Sequence, residues 1–524
     1  MRHTALAALL TLALAPCTAE ATGFTDFGQN LTPHPDTWID LHGSFRIRGT
    51  GFYNLDLDRG PTPSGEVLFP VSAAEPDRQW FFGSDLRVRT DLAIRAPGGV
   101  AGFKLRMDVL DNMPLGGSTD GIPGASLTQA PPESFLRIKH AYGEILTPLG
   151  YLAAGRMGHH FGLGMLGNGG DCADCDSGDA ADRIAFITPL AGHVWALAYD
   201  FSAVGHLNER RDESLAIDVE PSAAVRSLSF ALLRWDSDSA IKRRLRAGRT
   251  TVNYGGFYAY RWQDTDIPAN YLPIAAPPEI DAAQVVRRGL TAHAADLWLR
   301  VIHPWVRVEL EAAFLHAEVE QASAIPGLEL ANAVTSNQFG VALESEIGPP
   351  GGRWVVGLDA GFASGDPAPG FGAQSALSRL TPPQPGDLDG PQGVPPGDTT
   401  VDNFRFHRDY RIDRILFREI IGTVTDAAYI RPHARVHLVD WGTSRLVLSA
   451  ALIASWAHEP TSTLSGDRAL GIELDPTLSW VNDDGFSASL EYAVLVPQAG
   501  LNNPALGLDA RVAQLLRLRA GFGF

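Results

Sequence analysis

From Ile39 to Leu57 the chain alternates. Every odd position is apolar, aromatic or glycine (Ile39, Leu41, Gly43, Phe45, Ile47, Gly49, Gly51, Tyr53, Leu55, Leu57), and most even ones are polar, including Asp40, His42, Arg46, Arg48 and Asn54. A period of two puts one face of an extended strand in an apolar medium and the other in water. The run far exceeds the typical soluble strand of about 5 or 6 residues, and it satisfies the roughly 9 to 11 that a tilted strand needs to cross an outer membrane.

The pattern recurs along the chain. Leu86, Val88, Thr90, Leu92 and Ile94 alternate with Asp85, Arg87, Arg89, Asp91 and Arg95; beyond Pro97-Gly98-Gly99, Phe103, Leu105, Met107 and Val109 alternate with Lys104, Arg106 and Asp108. Val306, Val308, Leu310, Ala312 and Phe314 oppose Arg307, Glu309 and Glu311. Short connections near 97–100, 148–150, 189–192, 303–305, 348–352, 440–443 and 482–485, with a longer one at 237–248, alternate with long ones, of which 365–427 is the longest. Short periplasmic turns and long external loops are the asymmetry of an outer-membrane barrel, and one strand on each side of every connection gives about 18. The predicted fold class is therefore all-β, a transmembrane antiparallel β-barrel of about 18 strands with one loop helix.

Composition narrows the rest. With 524 residues, 45% of them hydrophobic, the chain is no disordered polymer, and 3 cysteines cannot staple it. A net charge of −18 argues against nucleic acid as a partner, and no stretch is long and apolar enough for a membrane helix. Arg2 and His3, the apolar run Ala5 to Ala15 and the small residues of Ala19-Glu20-Ala21 read as a signal peptide over 1–21. Pro16 makes Cys17 a poor lipidation site. A short periplasmic segment (22–36) and the barrel (37–524) follow, which places the protein in the outer membrane with lipid as its solvent. At the far end Leu516, Leu518, Ala520, Phe522 and Phe524 oppose Arg517, Arg519, Gly521 and Gly523. A last strand ending this way resembles the signal read by barrel-assembly machinery, with Phe522 and Phe524 as its assembly residues.

Four features bear on chemistry. Gly162, Gly164 and Gly167 match a dinucleotide fingerprint in letters only, because a glycine-rich loop follows where the fingerprint needs a helix. Asp171-Cys172-Ala-Asp174-Cys175-Asp176-Ser-Gly178-Asp179 is expected to close a Cys172–Cys175 disulfide in an oxidising compartment. Its carboxylates read either as a solvated acidic tip or as hard oxygen ligands for a structural calcium from Asp171, Asp174, Asp176 and Asp179. Over 411–421, Ile412, Ile415, Leu416 and Ile420 follow helical spacing, with Arg411, Arg414 and Arg418 on a neighbouring face. Such a helix either folds inward, where its arginines form a pore constriction selecting anions, or lies over the barrel mouth. Finally, Arg46, Arg48, Arg87, Arg89, Arg106, Arg137, Arg156 and Arg307 fall on the face assigned to the lumen and are read as the solute path. Carboxylates share that face, and cross-barrel ladders are the plain alternative. No nucleophile elbow or zinc-protease spacing occurs, so no enzyme is expected, and no cofactor beyond that calcium.

Three segments resemble a family. Gly155-Arg156-Met157 with Gly162-Leu163-Gly164, then Gly361-Phe-Ala-Ser364-Gly365-Asp366, then Phe404 to Ala427, are similar to elements of the alginate-export type of outer-membrane porin and of a related uncharacterised outer-membrane family. The resemblance implies a monomeric 18-stranded barrel whose arginine-rich lumen passes an anionic polysaccharide or its fragments. The resulting expectation is a passive channel for an anionic small molecule or polysaccharide. A general or phosphate-type porin competes with it, as does a non-conducting scaffold or adhesin barrel.

Overall fold

Alternating apolar and charged residues form the strands seen in the computed structural model. It describes residues 36–524 apart from 66, 73, 76, 117–134, 210–214, 268–281, 350–351, 374–383 and 389–396. The predicted signal peptide, and all but the last residue of the segment 22–36, lie outside the described residues.

The strands are β1 (Trp38–Tyr53), β2 (Trp80–Arg95), β3 (Ala101–Pro114), β4 (Leu136–Thr147), β5 (Gly150–Gly158), β6 (Ala180–Leu190) and β7 (His193–Ala203). A small separate hairpin follows, β8 (Leu207–Glu209) and β9 (Ala216–Asp218). Then come β10 (Val225–Arg234), β11 (Thr251–Gln263), β12 (Leu290–His303), β13 (Val306–Val319), β14 (Val334–Ile347) and β15 (Trp354–Ala363). The chain ends with β16 (Ala427–Asp440), β17 (Ser444–Ala457), β18 (Ala469–Asn482), β19 (Phe486–Pro497) and β20 (Ala513–Gly523). One α-helix, α1 (Asp238–Arg246), occupies the connection between β10 and β11. Leaving out β8 and β9, the strands form one 18-stranded antiparallel sheet, as the spacing predicts.

The sheet closes on itself. β1 pairs with β20 from Ser44↔Gly523 to Tyr53↔Gln514, so no edge is left for another chain to extend. The last residue takes part, since Gly43 N–H donates to the Phe524 carbonyl (2.9 Å) and Phe524 N–H to that of Gly43 (3.0 Å). The Phe524 ring lies where a side chain on residue 43 would sit, which only glycine permits.

Outward positions carry exposed Ile39, Leu41, Leu197, Leu299, Leu358, Ile430 and Leu518. Trp38, Trp305, Trp354 and Trp441 ring the short-turn end, and Trp80, Trp456 and Tyr492 the long-loop end. An apolar band between two aromatic girdles is the surface of an outer-membrane barrel, with its short turns in the periplasm.

Two long connections turn inward. These are segment 159–179, which leaves β5, and the described residues of segment 364–426, which leaves β15. Phe404, Ile415, Leu416 and Ile420 of the second pack into one cluster with Ala313, Ala342, Ala451 and Leu515 of the inner wall. The helix expected over 411–421 is not formed. Only one π-helical turn, Leu416–Ile420, is present. The helical spacing of the isoleucines reflects burial against the wall on several sides, which an irregular segment also achieves once its backbone groups find side-chain partners.

Candidate functional site

The site grows from the inward positions of β1 and β2. Alternation turns Arg46, Arg48, Arg87 and Arg89 into the lumen, where all four are buried. Arg48 Nε reaches Asp85 at 2.8 Å, and Arg89 holds Asp108 through two bonds of 2.6 and 2.8 Å. These wall carboxylates leave part of each guanidinium fork free for the inserted segment.

That segment is the cysteine loop. Cys172 and Cys175 are joined, and the Cys175 N–H donates to the Cys172 carbonyl at 3.1 Å. The tight turn aims carbonyls at the wall: Gly170 accepts from Arg89 (2.7 Å), Ala173 from Arg87 (3.2 Å), Cys175 from Arg87 and Ser177 from Lys139. Asp174 lies near Arg418 (2.8 Å), Arg411 (3.0 Å), Arg48 (3.1 Å) and Arg519 (3.6 Å). Asp176 meets Arg411 (2.7 Å), Arg46 (3.0 Å) and Arg48 (3.1 Å). Burial alone would raise both acids, but these guanidinium groups, Arg418 and Arg411 foremost for Asp174 and Arg411 and Arg48 for Asp176, hold them well below the usual carboxylate range.

Two expectations fall here. The acidic segment is no solvated tip, because it lies inside the barrel as the counter-charge of the arginines. The calcium reading fails for the same reason. Asp174 and Asp176 face guanidinium groups, Asp171 pairs with Arg106, and Asp179 lies 3.5 Å from His407. Among the described residues no group of three acidic, histidine or cysteine side chains converges to hold a metal.

The other wall holds the loops by their backbone. Gly162 and Gly164 have φ of 60° and 80°. This left-handed turn lets Glu311 of β13 accept from the N–H groups of Leu163, Met165 (3.1 Å) and Leu166 (3.2 Å). Glu473 of β18 does the same for Arg414 (2.9 Å), Ile415 (2.8 Å) and Leu416 (3.0 Å). Within the loop Asp413 accepts from Phe417 (2.9 Å) and Arg418 (3.2 Å); burial, then Glu473 beside it, push its carboxyl well up. Asp409 joins the two inserted segments, accepting from the N–H groups of Asp176 (2.9 Å) and Ser177 (3.0 Å). Sequence places Glu311 on the charged face of its strand without an anchoring role, and does not single out Glu473 or Asp409. The glycine run at 162–167 marked the first anchor without naming its acceptor.

The predicted residues divide as follows. Arg411 and Arg418 stand between two cavities. One, of about 610 Å³, lies toward the long-loop end and includes Thr50, Ser84, Asp176 and Arg517. The other, of about 520 Å³, lies toward the periplasm and includes Cys172, Arg307, Glu346 and Arg435. Both are lined by Arg411 and Arg418. Arg414 lines only the second, pinned to Glu491 and, at 2.7 Å, to Thr477. Arg106 and Arg307 face the lumen, paired with Asp91 and with Glu309 (2.6 Å). Arg137 stands near the outer end of β4, 60% exposed and 3.2 Å from Asp111.

Arg156 is a correction. It faces outward, 2.8 Å from Asp182, with both side chains about half exposed. The inner face of β5 is instead apolar: Ala153 and Met157 pack with Tyr142, Phe161, Ile187 and Phe257. The charged pair of the neighbouring strands, Arg183 with Asp200 at 2.8 Å, turns inward beside this apolar patch, whereas Arg156 turns out.

No protein-family model matches the sequence, and no curated protein matches it significantly. Solved structures match over most of the chain. Pseudomonas aeruginosa OccK5 (OpdH) is 9% identical over 93% of this chain and 98% of its own, with a TM-score of 0.45. Pseudomonas aeruginosa OccK2 (OpdF) in complex with glucuronate is 10% identical over the same shares, with a TM-score of 0.46. The Vibrio cholerae outer-membrane protein OmpT with loop L8 deleted is 8% identical over 93% of this chain and 99% of its own, at 0.34.

Proposed function

We propose that this barrel is an outer-membrane channel for anionic solutes, held narrow at rest by its two inserted loops. The observation that carries the reading is the meeting of the two cavities at the guanidinium groups of Arg411 and Arg418. A solute moving between the cavities passes these groups. A carboxylate or phosphate can take the places that Asp174 and Asp176 hold on them, whereas a cation is repelled. Exposed Lys242, Arg243 and Arg246 of α1 add positive charge at the periplasmic end, which concentrates anions there. The likeness of three segments to alginate-export porins makes an anionic oligo- or polysaccharide the first solute to try.

Planar-bilayer recording under a salt gradient tests this. Anion preference is expected, and replacing Arg411 and Arg418 by alanine should raise conductance while weakening that preference. Cation preference in the native protein would sink the proposal. A second reading, a non-conducting scaffold, is favoured by the apolar cluster that seats Phe404, Ile415 and Leu416 against the wall. Silence of the native protein and of the double-arginine variant alike would support it.

A further inference from the structure

We infer that the Cys172–Cys175 disulfide is a thiol-exchange site that latches the inserted loop, so that a dithiol reductant opens the channel; this rests on the channel reading above. Three observations converge. The four-residue turn closed by the bridge carries both Asp174 and Asp176, which together contact Arg46, Arg48, Arg411, Arg418 and Arg519. The carbonyls of Ala173 and Cys175, within the same turn, accept from Arg87. The bridge therefore holds one rigid array of acceptors against arginines drawn from β1, β2, β20 and the second loop. A flexible acidic peptide would have to order these groups one at a time, at an entropy cost for each.

The two sulfurs differ in access. Cys172 is half-buried and lines the periplasmic cavity of about 520 Å³, whereas Cys175 is 2% exposed. A thiolate of the reductant attacks the Cys172 sulfur, forming a mixed disulfide, and the Cys175 sulfur leaves as a thiolate in the field of the surrounding arginines. The second thiol of the reductant then attacks its own sulfur in the mixed disulfide and releases Cys172. Two electrons and two protons pass to the protein, giving two thiols, and the reductant ends as a cyclic disulfide. The freed turn loses its fixed shape, its carboxylates leave the arginines one by one, and the partition between the cavities loosens.

The test uses the oxidised full barrel in a planar bilayer, with dithiothreitol added to either chamber. Conductance should rise about twofold or more, and the reversal potential should move toward stronger anion preference as the arginines lose their counter-charge. The C172S/C175S variant should start in the high-conductance state and ignore the reductant. Should that variant fail to fold, reduction of the folded native protein still decides the matter. Equal conductance and equal preference before and after reduction, while the Arg411→Ala, Arg418→Ala variant conducts more, would overturn the latch and leave the channel reading standing. Silence of every form in both redox states would overturn the channel reading, and the latch with it.

Discussion

The two walls of the lumen grip the inserted loops in opposite ways. On β1 and β2, with β20 beside them, arginines bind the carboxylates and carbonyls of 170–177. On β13 and β18, glutamates bind backbone N–H groups, three by Glu311 and three by Glu473. The first grip is shared among many cations, so it is redundant and responds to a competing anion. The second concentrates three donors on one carboxylate and has no substitute. A plug fixed on one side and exchangeable on the other can swing without leaving the barrel.

The largest effect is therefore expected at a glutamate. Glu473→Ala strips the acceptor from three N–H groups, each costing about 1–3 kcal/mol if left buried and unpaired. The turn at 414–416 should release, and proteolysis within 404–426 should become fast in the folded barrel. Glu473→Gln keeps one carbonyl oxygen and should fall between the two. If Glu473→Ala is as resistant as the native protein, the backbone grip is not what holds the loop. Arg418→Ala should do less. Breaking a buried pair by removing its one partner costs about 3–5 kcal/mol, but Asp174 keeps Arg48, Arg411 and Arg519 nearby, so a loss at or below the foot of that range is expected. An Arg418→Ala effect as large as that of Glu473→Ala would show that the arginine grip is not redundant.

Acid separates two ends of the first loop. Burial, then Arg183, lower His159 to about 4, and burial, then His159 and His407, lower His160 to about 4. Both rings are kept neutral, so their contribution is present above the ordinary histidine range near 6.5 and is lost as pH falls through about 4. Asp174 and Asp176 sit below the ordinary carboxylate value, so their contribution is full above about 4 and is lost only on further acidification. Conductance should therefore rise first between pH 6.5 and 4, as the histidine end loosens, and again below pH 4 as the aspartates protonate. His159→Gln with His160→Gln should remove the first rise and spare the second. A response that is flat from pH 8 to 4 in the native protein would break this distinction between the two ends.

Much of the barrel was legible because the membrane imposes one rule on every strand, apolar residues outward at period two, and because turn length reports the side. The loops obey no such rule. Asp174 and Asp176 look like a solvated acidic run because their partners, Arg46, Arg48, Arg411 and Arg418, lie more than a hundred residues away in sequence. The segment 411–421 looks helical because burial on several sides repeats apolar residues at short intervals, and nothing local shows that Glu473 and Asp413 take its N–H groups instead. Arg411, Arg414 and Arg418 nonetheless stand out in sequence as arginines in the longest loop of a wide barrel, and all three line the lumen cavity that also holds Cys172 and Arg307.

Arg156 marks the limit of the wall comparison and carries the smallest expected effect. Its alternation with Met157 is as regular as that of Arg46 with Ile47, yet the charge is outside and the methionine inside. The difference lies in what fills the lumen at that sector: Met157 packs against Phe161 and Phe257, so the inner face is a core and not a water channel. Arg156 and Asp182 then form an ordinary exposed pair at the outer rim, worth about 0–1 kcal/mol. Arg156→Ala should leave conductance, ion preference and loop proteolysis unchanged and move thermal stability by less than about 1 kcal/mol. Met157→Asp, one residue on, should be far worse, because it buries a carboxylate among the aromatic rings of Phe161 and Phe257. A conductance change in Arg156→Ala comparable to that in Arg418→Ala would mean that Arg156 reaches the solute path in spite of its outward position.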